Sequence, residues 1–149
     1  MGAASVPNDP DAEQIVHASC IAVNGQGVLI MGPSGAGKSS LALQIMALGG
    51  ELVADDRVIL RRLGGDVIAQ CPLPLLGLIE ARGLGILRVP SVPFAPVRLI
   101  VDLSHPETER LPPRRTRPMM DVSIDLVFAG QGSHFSASIL HYIKGGRVE

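Results

Sequence analysis

The stretch from Val28 to Leu48, VLIMGPSGAGKSSLALQIMAL, constrains this chain more than any other. A strand-like apolar run ends in Gly32-Pro33-Ser34-Gly35-Ala36-Gly37-Lys38-Ser39. A helical run follows at once, from about Lys38 to Leu48, with Leu41, Ile45 and Leu48 on one face, and Gly49-Gly50 stop it. The spacing is G-x-x-x-x-G-K-[ST] in a strand–loop–helix setting, the phosphate-binding loop. Each part has a physical reason. Glycine backbone reaches turns closed to other residues, so successive N–H groups can converge on phosphate oxygens. The helix start adds unpaired N–H groups and a positive dipole end. In such loops the lysine reaches the β- and γ-phosphates and the serine hydroxyl ligates Mg²⁺. The expectation is a site for ATP with Mg²⁺ built from Gly32, Pro33, Ser34, Gly35, Ala36, Gly37, Lys38, Ser39 and the adjoining Ser40.

With 149 residues the chain has room for one core and not two. Residues 1–14 are polar, carry two prolines and read as a flexible tail; residues 15–149 read as one P-loop domain. Thirteen basic against fourteen acidic residues leave a formal charge of −1, which argues against nucleic acid or an anionic membrane as partner. No tryptophan, one tyrosine and three phenylalanines leave few platforms for stacking bases, so the core must be built from Val, Leu, Ile and Ala. Cys20 and Cys71 form no C-x-x-C pair and read as small buried hydrophobes in reducing surroundings. No apolar run reaches transmembrane length, and the start lacks the basic and apolar regions of a secretory signal. Gly2 makes no acylation motif, because Val6 stands where Ser or Thr is required. A soluble cytoplasmic protein is expected.

Ile15–Val23 reads as one apolar strand, and Asn24-Gly25 before Val28–Met31 is a strong hairpin signal. Two antiparallel strands before the loop depart from an all-parallel nucleotide-binding sheet. Glu51–Ala54 and Arg57–Arg62 read as strands, and Val67–Gln70 as a strand returning after Leu63-Gly64-Gly65-Asp66, so a meander is expected rather than a second βαβ unit. Leu75–Val89 reads as a glycine-punctuated loop and Val97–Leu103 as a buried strand. Ser104–Pro118 is charged and proline-rich, a surface excursion; Asp121–Phe128 alternates as a strand, and Phe135–Ile143 has the pattern of a helix.

The loop alone serves many enzymes, and other residues must choose. A transport-type ATPase needs a longer chain and a signature loop, for which Ala129-Gly130-Gln131-Gly132 is only a turn-like echo. A switch GTPase needs N-K-x-D, which is absent, and a nucleoside monophosphate kinase needs an arginine-rich lid on an all-parallel sheet. Asp55-Asp56, closing the strand after the loop helix, stand where a base or a ligand of metal-bound water belongs. Alternation along a strand gives the two carboxylates different partners. Gly77-Leu78-Ile79-Glu80-Ala81-Arg82-Gly83-Leu84-Gly85-Ile86 adds an acid and a base inside an apolar, glycine-rich segment.

Together the loop, Leu52-Val53-Ala54-Asp55-Asp56 and the Glu80–Arg82 segment resemble the C-terminal catalytic domain of the HPr kinase/phosphorylase family, over about Ile15 to Leu103. The chain resembles the short α-proteobacterial form without the N-terminal domain. The resemblance implies a mixed α/β sheet: a P-loop-containing, phosphoenolpyruvate-carboxykinase-like core with an early hairpin. It implies an Mg²⁺–ATP-dependent serine kinase, with a phosphorylase activity using inorganic phosphate, acting on an HPr-like phosphocarrier, and a homo-oligomer with a hexamer as one form. Asp55 is then the catalytic base, Arg82 the cation on the transferring group, and His17 a neighbour of the catalytic aspartate, followed here by Ala18 where the family has Gly. Ser39, Glu80 and Asp56 are the implied metal or metal-water ligands. Asp102, at the end of an apolar strand, is expected to be a decoy for the usual ATPase metal ligand. The family's later P-G-R-N-like loop has no counterpart, and Arg110, Arg114, Arg115 and Arg117 read as a solvated basic loop. The helix at Phe135–Ile143 falls where the family meets its protein substrate. The competing readings are a non-catalytic ATP-sensing module and a small-molecule P-loop kinase.

Overall fold

A computed structural model describes residues 12–149. Eleven strands and two α-helices follow one another along this part of the chain. Most of the expected tail, residues 1–11, lies outside the described residues; Gln14 already belongs to a strand.

The expected first strand is two. β1 (Gln14–Val16) pairs with β5 (Val58–Leu63), whereas β2 (Ala18–Val23) lies between β3 (Gln26–Met31) and β4 (Glu51–Ala54). His17 is the break at which the chain changes partners. Between β2 and β3 the expected hairpin is present: Asn24 and Gly25 both take positive φ, 51° and 75°, as a two-residue primed turn requires.

β5 and β6 (Asp66–Gln70) form the expected antiparallel pair across Gly64-Gly65. β9 (Phe94–Pro106) is the spine. Its start pairs antiparallel with β6, and the rest runs parallel to β3 and to β11 (Val122–Ala129), which in turn pairs with β10 (Arg115–Met119). These nine strands make one mixed sheet.

Two expected loops are ordered differently. Leu75–Val89 contains a short 3₁₀ turn and a separate hairpin, β7 (Leu78–Ala81) and β8 (Gly85–Arg88). The proline-rich excursion is strand only at its two ends, in β9 as far as Pro106 and in β10 from Arg115, while residues 107–114 stay irregular; across it Arg115 pairs with Glu107, and Arg117 reaches back to Asp102. Proline is tolerated at Pro118 because β10 pairs with β11 alone and needs no second row of N–H donors.

Alternation sorts the core into two layers. Cys20, Leu29, Val53 and Ile100 face one side, where Val58, Leu60, Ile124 and Leu126 cover them. Ile21, Val28, Ile30, Leu99 and Val101 face the other, under α1 (Lys38–Ala47) and α2 (Phe135–Gly145). Leu41 and Ile45 of α1 are buried there as the pattern predicts. Leu48 is not: it caps the helix, its side chain 45% exposed. Tyr142 of α2 donates a hydrogen bond to Asp125 at 2.9 Å, tying the last helix to β11.

Candidate active site

β3 delivers the chain to the loop from the middle of the sheet, and α1 leaves it. Gly32, at φ 152°, sits against its neighbour strand: a Cβ there would stand 3.2 Å from Ala36 Cβ and 3.3 Å from Leu103 Cβ. The loop closes on itself through Ala36 N–H to the Pro33 carbonyl, 3.1 Å. Pro33, Ser34, Gly35 and Ser40 are exposed. Lys38 Nζ donates to the carbonyls of Gly32 at 2.8 Å and Pro33 at 3.1 Å, so the ammonium lies over the loop it belongs to.

Asp55 follows β4 and meets the loop directly. Its Oδ1 accepts the Ser39 hydroxyl at 2.9 Å and the Ser19 hydroxyl at 2.6 Å. Ser19 was not singled out in the sequence: it stands on the wholly buried β2, where a small polar residue among Ala, Cys and Ile gives no periodic signal. Asp56 turns away, at φ 71°, and pairs with His17 Nδ1 at 3.7 Å, both side chains largely exposed. The adjacent carboxylates thus have different partners, as expected, though the bend that follows β4, with Asp56 in the left-handed region, parts them rather than strand alternation.

Glu80 lies on β7 and Arg82 in the turn before β8, both exposed. Ile79, just before Glu80, anchors the hairpin in the α1 layer, and Leu52 of β4 bonds through its N–H to the Pro90 carbonyl at 3.0 Å. Among the described residues no ion pair joins Glu80 to Arg82, and no hydrogen bond carries either to Ser39 or Asp55. Asp102, level with Met31 on the neighbouring β3, is buried and occupied: Arg117 donates to it at 2.6 Å and the Ser104 N–H at 2.9 Å. Burial opposes its ionisation, but the Ser104 and Arg117 hydrogen bonds and the Arg117 charge outweigh that and hold its pKa down at about 2.

Among the described residues no group of three or more His, Cys, Asp or Glu side chains forms a metal cage. The Ser39 hydroxyl, in the first turn after the phosphate loop, nevertheless suits Mg²⁺, which takes one or two protein oxygens and fills its shell with phosphate and water.

A phosphate loop on a mixed sheet, helices packed on one face and a carboxylate bonded to the loop serine define a P-loop α/β domain. Residues 11–112 match the family model for the HPr Serine kinase C-terminal domain. The HPr kinase/phosphorylase of Ralstonia pickettii (strain 12J) is 43% identical over 109 residues, 65% of this chain and 33% of that protein. That of Stenotrophomonas maltophilia (strain K279a) is 36% identical over 130 residues, 76% of this chain and 41% of that protein. The solved Hpr(Ser) kinase/phosphatase from Coxiella burnetii superposes with a TM-score of 0.74 at 26% identity, covering 88% of this chain and 94% of that one. This chain belongs to the HPr serine kinase C-terminal domain family, and spans about a third to two fifths of the length of these two curated relatives.

Proposed function

We propose that the chain transfers the γ-phosphoryl group of ATP to a serine hydroxyl of an HPr-like phosphocarrier protein, and runs the reverse reaction with inorganic phosphate. The observation that carries this reading is the bond from Ser39 of the phosphate loop to Asp55, which sets a half-buried carboxylate beside the triphosphate site. Asp55 accepts the proton of the acceptor serine as its oxygen bonds to the γ-phosphorus and the bond to the β-phosphate oxygen breaks, releasing ADP. In reverse, inorganic phosphate attacks phosphoserine, the protein oxygen takes its proton back from Asp55, and pyrophosphate leaves. Lys38 and the loop N–H groups hold the phosphates. Ser39 and Glu80 would hold Mg²⁺, with Asp56 on its bound water, and the ion would supply positive charge to the phosphates. Arg82 carries the remaining negative charge of the transferring group, as a planar guanidinium suits. Leu84 and Ile86 are exposed on the same hairpin, apolar surface that a further copy of the chain could cover, and the family resemblance makes a hexamer one form of such an assembly.

The test is mass spectrometry of an HPr-like carrier incubated with this protein, ATP and Mg²⁺. A single added phosphoryl group on a serine is the expected result, lost in Asp55→Asn while ATP binding remains. An Asp55→Asn protein that still transfers removes the base from the reading. A chain that binds ATP and never modifies the carrier is the sensor module instead; turnover with the carrier omitted and a small acceptor present identifies the small-molecule kinase.

A further inference from the structure

β2 is buried at all six positions, and Ser19 is the residue on it that brings a hydroxyl into that interior. A buried hydroxyl costs free energy unless it is bonded, and an alanine would fill this place without that cost. What Ser19 gains is its 2.6 Å bond to Asp55. The backbone makes that meeting possible. Along the β2–β4 ladder Ile21 pairs with Leu52, but a bulge shifts the register so that Cys20 pairs with Ala54. One step further along the shifted ladder Ser19 comes level with Asp55; without the bulge it would lie level with Ala54. Bulges recur where a side chain must be re-aimed beside a site.

The two oxygens of Asp55 are therefore unequal. Oδ1 accepts both Ser19 and Ser39, which fills its accepting directions, while among the described residues no side-chain hydrogen bond reaches Oδ2. The two donors also differ in footing. Ser39 sits in the first turn of α1, in the loop that receives the nucleotide, whereas Ser19 is fixed in the middle of the sheet. A carboxylate held by Ser39 alone could turn about its broad, two-fold final torsion.

We propose that Ser19 is a positioning residue for Asp55: it pins Oδ1 from the sheet side, so that Oδ2 is the oxygen offered to the acceptor hydroxyl. This rests on the phosphotransfer reading above. Ser19 touches neither nucleotide nor acceptor, and its effect belongs to turnover rather than to binding.

The experiment compares wild type, Ser19→Ala, Ser19→Thr, Ser19→Cys and Asp55→Asn. In Ser19→Ala, kcat for carrier phosphorylation should fall about 10- to 100-fold, the usual range for a lost supporting contact, with KM for Mg²⁺–ATP within about twofold. Ser19→Thr, which keeps the hydroxyl, should restore kcat. Ser19→Cys keeps the volume and most of the packing, and should behave like Ser19→Ala. The ¹³C resonance of the Asp55 carboxylate, assigned by its loss in Asp55→Asn, should move in Ser19→Ala and return in Ser19→Thr. Wild-type kcat in Ser19→Ala overturns the proposal, and so does a carboxylate resonance that does not move. A matched loss of kcat, nucleotide affinity and melting temperature that Ser19→Thr fails to rescue would mean that Ser19 only packs. If Asp55→Asn transfers normally, the phosphotransfer reading falls first; if Asp55→Asn is inactive and Ser19→Ala is not, the positioning role falls alone.

Discussion

Asp102 lies level with the end of the strand that feeds the phosphate loop and Asp55 is bonded to the loop serine, and their partners separate their occupations. Asp102 is consumed by Arg117 and Ser104, so it joins strands. Asp55 is bonded only to hydroxyls, one of them in the loop, and no cation neutralises it among the ion pairs of the described residues. Lys38 marks the other side of the site. Its ammonium bonds two loop carbonyls, contacts that offer little to folding but keep the charge where phosphate oxygens would converge. Lys38→Met should therefore weaken Mg²⁺–ATP binding at least about tenfold, roughly the worth of one charge-assisted contact, in calorimetric titration. Its melting temperature should stay close to wild type. A large loss of stability would show that the lysine braces the loop rather than serving the nucleotide.

The element that departs most from an ordinary nucleotide-binding sheet is the β2–β3 hairpin, and its turn is its weakest point. Gly25 holds φ 75° with nothing near the position of a Cβ, so any cost of a side chain there is conformational and not steric. Gly25→Ala should lower stability by about 1–2 kcal/mol, the penalty for a left-handed L-residue, measured as a drop in melting temperature. This hairpin was legible because Asn-Gly is a local signal between two apolar runs. The β7–β8 hairpin was not, since Arg82-Gly83-Leu84 is no preferred two-residue turn and the glycines around it hide the alternation. The end of β9 and the start of β10 were hidden for another reason. Charges such as Glu107 and Arg115 mark a loop when read singly, and only the fold shows that they pair with each other. There the Arg115 hydrogen bond, the largest influence, and its charge hold Glu107 below the usual carboxylate range.

Across the whole molecule β9 is the strand that touches everything: β6 at its start, β3 on the loop side and β11 beyond. The Asp102–Arg117 pair locks it to β10, and this makes stability depend on acid. In the folded chain Asp102 ionises at about 2 against an ordinary 3.8, so the folded state favours the charged form. That contribution is complete above the ordinary value and disappears as pH falls through the folded one. A difference of nearly two units corresponds to roughly 2 kcal/mol, lost between about pH 4 and 2. Denaturant melts from pH 7 down to pH 2 should show this loss. Asp102→Asn should be less stable at pH 7 by a similar amount and lose that share of the acid sensitivity. An unchanged acid profile in the variant would assign the titration to other carboxylates.

By itself the sequence determined the phosphate loop, the strand and helix around it, the early hairpin and the paired carboxylates that follow. All of these rest on local rules: residue spacing, turn chemistry and side-chain alternation act between positions a few residues apart. The tertiary structure decided which partner each carboxylate has. Asp55 reaches Ser39 across 16 residues and Ser19 across 36, and Asp102 finds Arg117 through strands paired from distant parts of the chain. It also decided that Ile15–Val23 is two strands in two neighbourhoods, because a break at His17 depends on which strands wait on either side. Ser19 belongs wholly to this second kind. A buried serine on an apolar strand carries no message until a one-residue shift in register brings a carboxylate opposite it.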